Sequence, residues 1–263
     1  MVDRAFADAS LARFYDPLNP WGAGDDFCLG FVSAARSVLD IGCGTGRLLG
    51  RARETGHTGR LVGLDPAAAM LVQARRDGPD IEWVLGDLRT RRWAGEFDLA
   101  VMTGHAFQEL VGDEEIRQAL RAVRAALGPD GRFVFETRNP GARAWERWNP
   151  SRVYEVADTD GGTVRVWHEV VEPVRGDRVT FTETYRGGRW ERPVVCRSTL
   201  RFLDTAALDG FLAEAGLVVA ERYGDWGRGP LTPAAPEIIT VAVPAQERAG
   251  PRRGQGAGGR FVP

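Results

Sequence analysis

Three glycines spaced two apart, Gly42, Gly44 and Gly46, separate an apolar run ending at Asp40-Ile41 from a segment of helical composition that starts at Arg47. Lacking a Cβ, such residues let the backbone turn sharply and let a ligand approach where a side chain would collide. A strand entering a helix through this kind of turn commits its surroundings to an α/β layered fold. The neighbouring chain agrees. Short apolar runs at 37–41, 60–64, 81–85, 97–101 and 132–136 read as strands. Segments 47–55, 67–76 and 114–127 read as helices, the last with Ile116, Leu120, Val123 and Leu127 three or four apart.

Beyond Asn139-Pro140 the texture changes. Runs at 163–171, 178–185 and 194–203, within a β-rich stretch from 151 to about 203, are punctuated by turn signals such as Gly161-Gly162 and Arg175-Gly176-Asp177. An inserted antiparallel meander is expected. The α/β pattern then resumes, with Asp204 as a helix N-cap, Gly216 as its stop and strands at 218–223 and 237–243. The expected fold is α/β, a doubly wound, mostly parallel, seven-stranded sheet with an antiparallel β-rich lid inserted. Its parts are an N-terminal helical cap (1–36), a core (37–140), the lid (141–203) and the rest of the core (204–243). Residues 244–263 hold three prolines, five glycines and four arginines, a composition that predicts disorder.

Composition narrows the function. A net charge of −2, from 34 basic and 36 acidic residues in 263, supplies no general field toward nucleic acid or an anionic membrane. No apolar stretch approaches the ~18 residues of a membrane span, and none of signal-peptide length opens the chain. Three cysteines, Cys28, Cys43 and Cys196, form neither a disulfide framework nor a metal-like spacing, so no metal is expected and a reducing cytoplasm is.

The glycine turn lacks the third-glycine spacing of the dinucleotide fingerprint, because Arg47 stands where that glycine belongs. It also lacks a phosphate-binding lysine, which argues against ATP. Instead acids end the first three strands: Asp40, Asp65, 19 positions after Gly46, and Asp87 in Gly86-Asp87-Leu88. A carboxylate at the second strand end can accept from both hydroxyls of a ribose, and one at the third from an adenine amine. The set describes a pocket for an adenosine that bears a cation.

On Asp40 to Gly46, Asp65 and Asp87, residues 37–139 resemble the class I S-adenosylmethionine-dependent methyltransferases. The resemblance implies that S-adenosylmethionine is the cofactor. It further implies that the turn from Gly42 through Cys43 and Gly44 to Gly46 packs on the methionine part and that Asp40 organises the turn or the ammonium. Asp65 would hold the ribose, while Pro66, Ala67 and Met70 contact the adenine that Gly86, Asp87 and Leu88 frame. Thr103 and His105, in the loop 103–108, would face the sulfonium, with Tyr15 closing over the cofactor and bonding its carboxylate. His105 is the candidate catalytic base, since an unperturbed imidazole titrates near ~6.5. The loop lacks the Asn/Asp-Pro-Pro-aromatic run of amino-methylating enzymes that act on DNA.

Gln108, Arg138, Asn139, Trp145, Trp148, Trp167, Tyr185 and Trp226 are the candidate acceptor-binding residues, an aromatic-rich set fitting a flat or partly apolar small molecule. The main reading is methyl transfer to an oxygen or nitrogen of a small-molecule acceptor, in bacterial secondary metabolism, by a monomer or homodimer that engages no nucleic acid and no membrane. Two others stand beside it: a tRNA or protein side-chain methyltransferase, and a cofactor-binding regulator without chemistry.

Overall fold

The computed structural model describes residues 3–158, 161–171, 173–187 and 190–246. Four N-terminal helices, α1 (Arg4–Ala7), α2 (Ala9–Ala12), α3 (Tyr15–Leu18) and α4 (Ala23–Ala34), precede the first strand. The core then alternates β1 (Ser37–Ile41), α5 (Arg47–Glu54), β2 (Arg60–Asp65), α6 (Ala68–Asp77) and β3 (Glu82–Leu85). It continues with β4 (Phe97–Met102), α7 (Asp113–Ala126) and β5 (Leu127–Arg138). Four further strands follow: β6 (Val153–Ala157), β7 (Thr163–Val170), β8 (Arg178–Arg186) and β9 (Val194–Arg201). The chain closes with α8 (Thr205–Glu214), β10 (Leu217–Tyr223) and β11 (Glu237–Pro244).

The large sheet has the order β10-β11-β5-β4-β1-β2-β3. Its β1, β2, β3, β4 and β5 pair in parallel, and only the β11 pairings with β10 and β5 are antiparallel. The insertion forms a second, antiparallel sheet, β6-β7-β8-β9. The expected architecture is therefore observed, with β6 as a fourth lid strand beyond the three runs singled out from sequence. Asp204 caps α8 by accepting from the Ala207 N–H at 2.8 Å, and Gly216 leaves the helix at φ 73°. Of the tail expected to be disordered, residues 247–263 lie outside the described residues.

Strand alternation divides the large sheet into two faces of different character. Leu39, Ile41, Ala100, Met102, Phe133 and Phe135 face one apolar layer with α7 and α8. Val38, Leu99, Val101, Val134, Ile239 and Val241 face the other, covered by Phe27, Cys28 and Val32 of α4 and Leu48, Leu49 and Ala52 of α5. By the same parity Asp40, Glu136, Arg138 and Glu237 belong to this second face, at the carboxyl edge of β1, β4 and β5. The N-terminal helices join the two sheets: Ser198 of β9 donates to Asp3, and Arg13 pairs with Asp158 at 3.5 Å. On the other side, Gln73 of α6 donates to the Ala12 carbonyl.

Candidate active site

The glycine turn closes over the end of β2. The N–H groups of Gly42 and Cys43 donate to the Leu64 carbonyl at 2.8 and 3.2 Å. Gly42, Gly44 and Gly46 all adopt left-handed φ, at 73°, 55° and 78°, a region that a residue with a Cβ enters only at a cost. Asp65 fastens this turn, because its carboxylate accepts from the Gly44 N–H at 2.9 Å and the Ala67 N–H at 2.7 Å. Burial pushes its carboxyl above the usual range. Each oxygen keeps a second lone pair for a ligand hydroxyl.

A cavity of 320 Å³ opens beside this turn. Gly42, Gly44, Asp65, Pro66, Met70, Gly86, Asp87, Leu88, Thr103 and Tyr15 of the expected cofactor set all line it. Phe6, which meets Tyr15 edge-on at 6.0 Å, and Asp3, Arg89 and Glu109 also line it. Glu109 lines the cavity, and desolvation together with the Asp3 charge pushes its carboxyl up to about 7. Asp87 is already engaged: burial pushes its carboxyl up, but the Arg89 guanidinium, bonded at 2.9 Å, outweighs it and the net shift is downward.

A second cavity, of 390 Å³, lies on the α4 face and is lined by Asp40, Cys43, His105, Glu136, Arg138 and Trp226. Tyr15, Gly42, Thr103 and Gly104 line both cavities and so form their junction. Burial holds the Tyr15 phenol protonated, with its pKa raised to about 12. His105 stands in the left-handed region at φ 62°, which directs its N–H to Glu136 Oε1 at 2.8 Å. Its Nε2 lies 2.9 Å from Glu237 Oε2. Burial, aided by the Arg138 charge, lowers the His105 pKa against the opposing pull of Glu237. The ring is a neutral imidazole at physiological pH, the form a base requires.

This second cavity contains the least satisfied groups of the site. Asp40 is 1% exposed and neither carboxylate oxygen has a hydrogen-bond partner; burial, with Asp65 nearby, pushes its carboxyl up to about 7. Glu136 is 3% exposed, its Oε2 is unpartnered, and burial pushes it up to about 8. Buried polar atoms without partners are costly, so a site that leaves carboxylates in this state is built for a cationic or donating ligand.

Several acceptor candidates have other work. Gln108 is fully buried, its amide donating to the Arg201 carbonyl at 2.9 Å and accepting from Arg138 at 3.0 Å, so it ties β5 to β9 instead of meeting a ligand. Asn139 donates to the carbonyls of Thr232, Pro233 and Ala235 and accepts from the Gly141 N–H, which fixes the loop before β11. Trp145 and Trp148 pack on Phe202, in the small core under β8 and β9. Tyr185 is 4% exposed in the lid core and donates to Glu183. Trp167 is half-buried on β7 and lines neither of the two cavities. Gly46 belongs to packing also: a Cβ there would fall 2.3 Å from the Trp83 ring, on the far side of the turn. Cys43 is a buried thiol whose pKa burial raises, as suits a packing residue. Arg138 and Trp226 do reach the second cavity, Arg138 with its guanidinium 5.5 Å over Trp148.

Glu136, Glu237 and Glu109 were not singled out from the sequence. An acid inside the apolar run Phe133-Val-Phe-Glu136 was a visible signal, because alternation gives it the Val134 face. Glu237 reaches His105 only because β11 pairs with β5 antiparallel, setting Glu237 beside Arg138, and no local pattern encodes that.

A glycine cradle, a carboxylate fastened to it at the end of β2 and a charged compartment at the end of β1 are the features of a nucleoside-cofactor site in an α/β fold. Comparison with known proteins gives the family. Residues 38–131 match the model described as a methyltransferase domain. The cypemycin N-terminal methyltransferase of a Streptomyces species is 34% identical over 261 residues, covering 92% of this chain and 98% of that one. The 2-phytyl-1,4-naphtoquinone methyltransferase of Thermosynechococcus vestitus is 38% identical over 119 residues, and the match spans only 51% of its length. Among solved structures, the sugar N-methyltransferase KedS8 from Streptoalloteichus aligns with a TM-score of 0.73 at 19% identity, covering 94% of this chain and 96% of that one. The chain belongs to the S-adenosylmethionine-dependent methyltransferases, with S-adenosylmethionine as its cofactor. Among the described residues no helix is long and apolar enough to cross a membrane.

Proposed function

We propose that this chain transfers the methyl group of S-adenosylmethionine to a nitrogen or oxygen of a small-molecule acceptor, with the cofactor lying across both cavities. The observation that carries this reading is their junction at Tyr15, Gly42, Thr103 and Gly104. An adenosine suits the larger apolar share of the first cavity, with Asp65 at the ribose and Pro66, Met70 and Leu88 around the ring. The amino-acid end suits the second, where the unpartnered Asp40 receives an ammonium. The cofactor supplies an activated methyl and its own leaving group, so alignment and exclusion of water are what the chain adds. Phe6 lines the first cavity against the junction residue Tyr15, and His105, oriented by Glu237, is the base for an acceptor that must lose a proton.

Titration with S-adenosylmethionine and S-adenosylhomocysteine, beside a screen of acceptors with labelled methyl, tests this. Cofactor binding that Asp65→Ala removes, together with label in a small molecule, supports it; absence of binding overturns it. A second reading, an acceptor that is the amino terminus of a peptide, is favoured by the relative that this chain matches over nearly its whole length.

A further inference from the structure

We propose that Glu136 anchors a second cation beside the cofactor's own, the protonated amine of the acceptor. This rests on the cofactor placement above and adds the acceptor's chemical class, an aliphatic amine, and the residue that selects it.

The second cavity holds two buried carboxylates with unpartnered oxygens, and one ammonium cannot serve both. Asp40 and Glu136 share a face of the sheet, but β4 lies between their strands. Asp40 aligns through Val101 with Val134, two residues before Glu136, so two strand spacings and two residues set their backbones about 12 Å apart with both side chains rising from one face, whereas a single ammonium bridges acceptors only about 5–6 Å apart. With Asp40 given to the cofactor, Glu136 Oε2 still lacks a donor. The nearest protein cation does not supply it: Arg138 bonds Gln108 and stacks over Trp148. Glu136 Oε1 is fixed by the His105 N–H, so Oε2 is aimed by the same loop that contributes Thr103 and Gly104 to the junction.

The surroundings select for a cation. Asp16, Asp25 and Asp40 also line the cavity, while Arg47, its other lining cation besides Arg138, lies 3.9 Å from Asp16 and 3.6 Å from Asp25. The anchored ammonium gives one proton to His105 Nδ1, so an N–H bond breaks on the amine and an N–H bond forms on the imidazole, while Glu136 keeps the charge that holds the nitrogen in place. The freed nitrogen lone pair then forms the new N–C bond while the C–S bond breaks, its electron pair leaving with sulfur.

The test uses cyclohexylamine and its neutral counterpart cyclohexanol as probes, titrated by ligand-observed NMR into the full chain saturated with S-adenosylhomocysteine. The amine should bind at least ~10-fold more tightly than the alcohol, and Glu136→Gln should remove that preference while changing S-adenosylhomocysteine affinity less than ~2-fold. Asp40→Asn should do the reverse. Equal binding of amine and alcohol overturns the proposal, as does a Glu136→Gln variant that keeps the preference or loses the homocysteine ligand instead. The wild-type contrast needs no variant to fold. Failure of S-adenosylhomocysteine to bind wild type would overturn the cofactor placement, and the amine titration without it would still decide Glu136.

Discussion

His105 Nε2 and Glu237 Oε2 lie 2.9 Å apart, although 132 positions separate them in the chain. The contact fixes the imidazole plane and favours a proton on Nε2, leaving Nδ1 as the free base, the arrangement that makes a carboxylate a positioning partner for a histidine. His105→Asn, a residue tolerant of left-handed φ, should lower kcat by about 10²–10⁴-fold and leave S-adenosylhomocysteine affinity unchanged. Glu237→Gln removes the influence that raises the His105 pKa, so the acidic limb of the kcat/KM profile should move to lower pH. An unmoved limb in Glu237→Gln would exclude the pairing from the reaction.

Asp65 serves the fold and the ligand together. Asp65→Ala strips the buried Ala67 N–H and the half-buried Gly44 N–H of their acceptor, at about 1–3 kcal/mol for the buried donor left unpaired and less for the other. The apo protein should melt earlier, and cofactor affinity should fall by at least ~10-fold in calorimetry. Asp65→Asn, which keeps one accepting oxygen, should fall between. A variant with unchanged melting and unchanged affinity would contradict both roles.

Asn139 is a clamp on the loop ahead of β11. Its replacement by Ala should cost about 1–3 kcal/mol of stability while the acceptor KM stays within ~2-fold of wild type. A large KM change with no loss of stability would return Asn139 to the acceptor site.

Stability should fall with rising pH in the apo protein. The folded-state pKa values of Asp40 and Glu136 lie at about 7 and about 8, above the unfolded values of ordinary carboxyls near ~4, so between these limits the folded state binds more protons than the unfolded one. Their contribution is complete at acid pH and is lost as pH rises through 7 and 8. His105, whose pKa is lowered, acts oppositely below about pH 6.5, so pH 6.5–8.5 is the informative window. Thermal melts across it should show a declining midpoint, flatter in Asp40→Asn and flatter again with S-adenosylmethionine bound. A midpoint that rises across the window would contradict the buried, unpartnered state of these carboxyls.

The cofactor half was legible because its determinants are local. Gly42 and Gly44 declare left-handed turns by being glycine, Asp65 declares the end of its strand by following an apolar run, and helix 113–126 shows its buried stripe by spacing alone. The aromatic residues carried no such information. Trp145, Trp148 and Tyr185 have the composition of a binding surface, yet a small β layer needs the same residues to fill its own core, and they are spent there.

By itself, then, the sequence determined a doubly wound sheet, its glycine turn and the carboxylate after β2, since each follows from backbone freedom or hydrophobic period within a few residues. Tertiary structure alone decided that Glu237 would meet His105, that Asn139 and Gln108 would be consumed by backbone carbonyls, and that Asp40 and Glu136 would share one face under α4. Those outcomes depend on strand order and on the antiparallel register of β11 against β5, and long-range pairing of this kind is set by how faces bury against each other, not by any neighbouring residue.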